Sequence, residues 1–258
     1  KTDWFKQFNE YQQKEILEGV KYDVDVLIYA KPEFDYKQMQ EIRYGLEANA
    51  DVSIYATPEY NWEQMNEIRR GLFFGLDVSK YANPKNNKKK MELLMLDLKD
   101  GLNVDLYCNP LFSLNQIEQI KEGIEKNLDV SIYAKPEFNN FQMYQIQNGL
   151  ENNLNVSIYA KKEYNGEQME EIRIGLLHKV DVSIYAKPEF DYNQMELIRL
   201  GLENNLDVSV YLNNKFKWEQ MREIRLGLEK NLDVSSYLKL EINRHKMKEI
   251  RKGLEKGL

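Results

Sequence analysis

A tyrosine recurs every 26 residues with no insertion: Tyr29, Tyr55, Tyr81, Tyr107, Tyr133, Tyr159, Tyr185, Tyr211 and Tyr237. A valine three residues earlier keeps the same step from Val26 to Val234. A glycine does so from Gly19 to Gly253, and only Asp97 breaks its row. A fixed period of this size marks one small unit stacked on copies of itself, since such a unit cannot bury its apolar face alone. The chain is therefore read as one elongated tandem-repeat domain over residues 1–258, of about ten units. The first unit, 1–24, is partial, and the unit at 77–102 is atypical.

Within a unit the local signals are specific. Asp35 is followed three residues later by Gln38, the spacing of a capping box. The same pair returns as Asn61/Gln64, Ser113/Gln116, Asn139/Gln142, Asn165/Gln168 and Asp191/Gln194. Phe34 before the cap and Met39 inside the helix have the spacing of a hydrophobic staple. The spacing predicts a helix from about residue 36 to Glu47, with Met39, Ile42 and Leu46 on its buried stripe. Asn or Gly then recurs at the Asn49 position, where a left-handed residue ends helices. Asp51 reads as a second cap before VSIYA. Those five residues alternate like a strand, and one strand plus one helix per unit would make a leucine-rich-repeat horseshoe. Val52, Tyr55 and Ala56 instead keep helical spacing, and the Ile54 position accepts Lys80 and Ser236, so a short α or 3₁₀ helix is favoured. The expected fold is all-α: a superhelical α-solenoid of one longer helix and one short helix per unit. The glycine inside the long helix costs about 1 kcal/mol of helix propensity each time. Close approach of the tyrosine ring over the missing side chain is the expected compensation.

Composition excludes more than it assigns. The chain has 36 basic and 42 acidic residues, a net charge of −6, which is no nucleic-acid footprint. The single cysteine, Cys108, stands in a row of alanines and reads as a small buried residue. No disulfide can form within the chain, which fits a reducing, cytoplasmic setting. No apolar run is long enough to span a membrane. The chain begins without Met and enters the repeat part-way through a unit, as a fragment would. His178 and His245 fall at different repeat positions, and no metal, nucleotide or nucleophile motif occurs. No enzyme activity, cofactor, metal or small-molecule ligand is expected.

Residues 185–209, YAKPEFDYNQMELIRLGLENNLDVS, resemble short helical tandem repeats of Firmicute mobile-element and phage proteins. The likeness runs along nearly the whole chain on the pattern Y-A-x-P-x-F-x-x-x-Q-M-x-x-I-R-x-G-L. The two-helix unit is also similar in architecture to leucine-rich repeat variant solenoids. Neither family carries a catalytic residue onto this chain. The resemblance implies a binding scaffold, and a mobile-element role such as binding and blocking a host defence complex.

Two surfaces are candidates for that role. A helical wheel with Ile42 inward places an outer side that holds Tyr44, Phe73, Phe74, Phe141, Tyr144, Ile174 and Leu177. Phe73, Phe74, Phe141 and Tyr144 occupy positions filled mostly by Glu, Asn and Lys in other units, so they are the expected anchors for a partner protein or a second copy of the chain. The leucines and Ile174 at the Tyr44 position also fit half-burial by the next unit. Lys88, Lys89 and Lys90 form the basic cluster of the atypical unit and read as a solvated run open to an acidic patch. A nucleic-acid role is the alternative, either by acidic mimicry of DNA or by phosphate tracking along Arg43, Arg69, Arg173, Arg199, Arg225 and Arg251. Glutamates four residues on, such as Glu47 and Glu203, would pair with those arginines and cancel their field.

Overall fold

The capping pairs and left-handed stops read from the sequence set the helix bounds. In the structure, a computed structural model that describes residues 2–257, α3 runs Tyr36–Glu47. The chain divides into two compact units, one up to Ile117 and one from Glu118. The first contains α1 (Asp3–Lys6), α2 (Glu10–Lys21), α3, α4 (Trp62–Phe73), α5 (Lys88–Lys99) and the first turn of α6 (Leu114–Glu125). The second contains the rest of α6, then α7 (Asn140–Glu151), α8 (Gly166–Leu177), α9 (Tyr192–Glu203), α10 (Trp218–Glu229) and α11 (Arg244–Glu255). In each, long helices pack on their sequence neighbours, α2 to α5 in the first and α7 to α11 in the second. No strand occurs among the described residues. The chain is an α-solenoid.

VSIYA is a 3₁₀ turn, as at Val52–Ile54 and Val182–Ile184. The carboxylate of Asp51 accepts the Ser53 N–H at 3.1 Å, and the Tyr55 and Ala56 N–H groups both donate to the Val52 carbonyl. Those bonds curl the segment and leave no extended edge for a horseshoe. In the repeat that follows the atypical unit, residues 105–107 form only a turn. Residues at the Asn49 position sit at positive φ, from 53° at Asn231 to 79° at Gly101.

Two repeated locks hold the units. Each tyrosine of the 26-residue row is buried, and, Tyr107 apart, its hydroxyl donates to a carbonyl of the preceding long helix; Tyr159 reaches Gln145 O at 3.1 Å. A Cβ at Gly149 would lie 1.9 Å from that hydroxyl and 2.7 Å from Val156, which explains the glycine. Asp97, the exception, is buried and accepts the Tyr107 hydroxyl on its own carboxylate at 3.1 Å. The second lock is glutamine. Gln38 accepts the Asp35 N–H at 2.8 Å, closing its own helix start, and donates to Tyr60 O of the next repeat at 2.6 Å. Gln64, Gln142, Gln168, Gln194 and Gln220 make the same double connection.

Two burial expectations are corrected. Cys108 is half-buried, because its row of alanines lies at the end of the 3₁₀ turn, where most of its members are half-buried too. Lys90 is 4 % exposed and no part of a solvated run. It occupies the glutamine position, so its ammonium is drawn inward to donate to Asn109 O and Phe112 O, both at 2.7 Å.

Candidate partner-binding surface

What a surface can offer depends on which of its polar groups the fold has already used. The arginines of the 26-residue row on the long helices are engaged. Arg43 Nε donates to Glu15 at 3.0 Å, Arg69 to Glu41 at 2.8 Å, Arg199 to Glu171 at 2.8 Å and Arg251 to Glu223 at 3.0 Å. Each bond reaches back 28 residues to the preceding long helix. The i+4 carboxylates expected from the sequence close the other side: Glu47 on Arg43, Glu203 on Arg199, Glu229 on Arg225 and Glu255 on Arg251. Where the row changes, the partner changes with it. Arg173 meets Gln145 and Gln147 meets Gln119. Arg225 has buried Leu197 where the acceptor would be, and its Nε is left without a partner.

A second set of links joins residues 25 apart along the outer edges of the helices. At the C-terminal edge Lys126 meets Glu151 at 2.7 Å, His178 meets Glu203 at 2.8 Å and Lys230 meets Glu255 at 2.9 Å. At the N-terminal edge the Lys37 ammonium lies 4.4 Å from the Trp62 ring centroid, and Tyr11 and Tyr36 lie 5.1 Å apart.

These links sort the expected anchors. Phe73 is 75 % exposed, and it meets Phe74 edge-on with centroids 5.6 Å apart. Phe74 is 42 % exposed, with the Lys99 ammonium 4.2 Å from its ring centroid. Tyr144 is 47 % exposed, and Leu177 is also exposed. Tyr44 is at the edge of exposure, flanked by the guanidiniums of Arg43 and Arg69. Phe141 is 36 % exposed, but part of its ring is already engaged. Its ring lies over Gly166, where an added Cβ would come within 2.1 Å of it, so it belongs to the N-terminal edge. Ile174 is half-buried, as are Leu200 and Leu226 at the same position, which leaves them a packing role. Lys88 and Lys89 are exposed and line an open depression of about 850 Å³ with Asn61, Gln64 and Pro84. Lys88 faces Glu63 at 3.5 Å. The structure thus brings Tyr44, Phe73 and Phe74 to the C-terminal edge of α3 and α4 and leaves the lysines at the N-terminal edge of α5.

Sequence reasoning placed Arg69 in the arginine row but missed that it lacks a second carboxylate. Phe73 takes the place of its i+4 glutamate, and its side chain is 24 % exposed against 7 % for Arg43. The signal was present in the register: Phe73 and Leu177 are the apolar residues at the Glu47 position, and each removes a carboxylate from an arginine one turn earlier.

No group of three or more His, Cys, Asp or Glu side chains placed to hold a metal ion occurs among the described residues. No helix among them is long and apolar enough to cross a membrane. Fold and surface define a tandem-repeat α-solenoid with polar seams between its repeats and a few exposed apolar side chains. The chain matches no protein-family model, no curated protein and no solved structure.

Proposed function

We propose that this solenoid is a non-enzymatic scaffold that binds another protein through exposed apolar side chains, chiefly Phe73, Phe74 and Tyr144. The observation that carries the reading is the 75 % exposure of Phe73 at a position that is glutamate in most other repeats. A solvated edge has no use for a phenylalanine, and aromatic side chains are enriched where proteins anchor partners. The pairing of Arg43, Arg199 and Arg251 with two carboxylates each favours protein over phosphate as the ligand. The resemblance to mobile-element and phage repeats extends the proposal to a cytoplasmic factor that binds and blocks a host defence complex.

The test is capture from a host lysate with the tagged full chain and with its Phe73→Ser/Phe74→Ser form, each with and without nuclease. The expected result is a protein retained by the parent chain, lost with the double variant and indifferent to nuclease. Release by nuclease, with retention falling steeply between about 50 and 200 mM salt, would establish nucleic acid as the ligand instead.

A further inference from the structure

At most positions equivalent to Glu47 the chain supplies a carboxylate, and the repeat is built to use it. Glu47, Glu203, Glu229 and Glu255 each meet the arginine one turn earlier. The end of the long helix therefore tolerates an anion beside that guanidinium, even though a helix C-terminus disfavours negative charge. In α4 the same site is taken apart. Phe73 replaces the glutamate, while Arg69 keeps its Nε bond to Glu41 and its stacking on Tyr44. Its neighbour Arg70 is engaged by Glu67 at 2.7 Å, and Lys99 lies over Phe74. The result is a partly exposed cation against the exposed ring of Tyr44, with exposed Phe73 one helical turn on and Phe74 paired to it, and no carboxylate at the place where other repeats hold one.

We infer that this site is a socket for an acidic segment of a partner protein. The partner's Asp or Glu takes, against Arg69, the place of the missing glutamate, and an adjoining apolar side chain of the partner packs on Phe73 and Phe74. The inference rests on the protein-binding reading and adds the chemistry of what is bound. Charge complementarity selects the carboxylate, since Arg69 meets only Glu41 where Arg43 meets two carboxylates, and the Lys99 ammonium lies beside Phe74. The paired aromatic rings select an apolar neighbour for it.

The experiment selects random linear displayed peptides on the full chain and measures the enriched peptides on three variants. Phe73→Glu returns the carboxylate to the chain itself. Arg69→Gln removes the cation but keeps a donor for Glu41, and Phe73→Ser removes the ring alone. The expected peptides carry Asp or Glu beside an aromatic or aliphatic residue and lose more than about tenfold in affinity on all three variants. Neutral or basic peptides, or acidic peptides bound equally well by Arg69→Gln, would overturn the inference. Loss on Phe73→Ser without loss on Arg69→Gln overturns the carboxylate and leaves the protein-binding reading standing. Indifference to all three variants, or failure to enrich any peptide, counts against both. Should Arg69→Gln unfold, Phe73→Glu decides alone, because residue 73 is exposed.

Discussion

At Gly149 two effects of a single methyl group oppose each other. Alanine is better than glycine inside a helix by about 1 kcal/mol, so propensity alone favours the change. The added Cβ would meet the hydroxyl of Tyr159, which is buried and bonded to Gln145 O. We expect the clash to win: Gly149→Ala lowers stability by about 1–3 kcal/mol in denaturant unfolding, and a rise would disprove the lock. Gln145 sits at the other end of this contact. Its Oε1 accepts Arg173 Nε at 2.8 Å, but its Nε2 is buried without a partner. Gln145→Glu turns that bond into the charge-assisted pair of Arg199 and Glu171 and removes the orphaned donor. A gain of about 1 kcal/mol is expected from thermal unfolding. A loss would mean that the buried charge costs more than the pair returns. The glycine–tyrosine lock was legible in the sequence because both rows are nearly invariant along the chain. The arginine seam was only half legible. Its i+4 glutamates follow from one helix, whereas its partner 28 residues back depends on how two helices are placed side by side.

Helix α5 shows what happens when a repeat changes its buried positions. Asn86 replaces the aromatic residue before the cap and is fully buried, with its Oδ1 left without a partner. Lys90 replaces the glutamine, so Asn87 still caps Lys90 N–H at 3.0 Å but no side-chain oxygen returns the bond. Burial pushes the Lys90 ammonium down to about 8. The unfolded chain then holds a proton that the folded chain releases between about pH 8 and 10.4, so Lys90 makes stability rise with pH across that window. Lys90→Gln restores the capping box and removes the buried charge. It is expected to add about 1 kcal/mol and to flatten that rise, as denaturant midpoints at pH 7, 8 and 9 would show. Lower stability at all three values would mean that the two carbonyls need a cation. The helix bounds of α5 were legible from the register alone, and so in principle was this burial, since Lys90 aligns with Gln38. Charge and neighbouring lysines pointed outward, but position within the repeat decides where a side chain goes.

Across the whole chain, nine buried tyrosines share one fate at high pH. Burial pushes the phenols of Tyr29, Tyr55, Tyr81, Tyr107, Tyr133, Tyr159, Tyr185 and Tyr211 well above their ordinary value, and that of Tyr237 up to about 12. Unfolded tyrosine ionises near about 10, so these groups leave stability unchanged below that pH and remove it as pH rises further. Their ionisation, followed by absorbance, should coincide with loss of helical circular dichroism; ionisation with the helices intact would contradict their burial. The repeat itself makes most residues legible, and it also isolates what the fold does not explain. Phe73, Phe74 and Tyr144 stood out as departures from their rows, whereas Phe141 matched that pattern and yet packs on Gly166, because only the structure shows the glycine opposite. The central claim is that the departures which remain exposed serve association and not folding. The most direct test is the melting temperature and partner retention of Phe73→Ser measured on the same preparation. The account predicts an unchanged melting temperature with retention reduced by more than about tenfold. A clear fall in melting temperature, or retention equal to that of the parent chain, would contradict it.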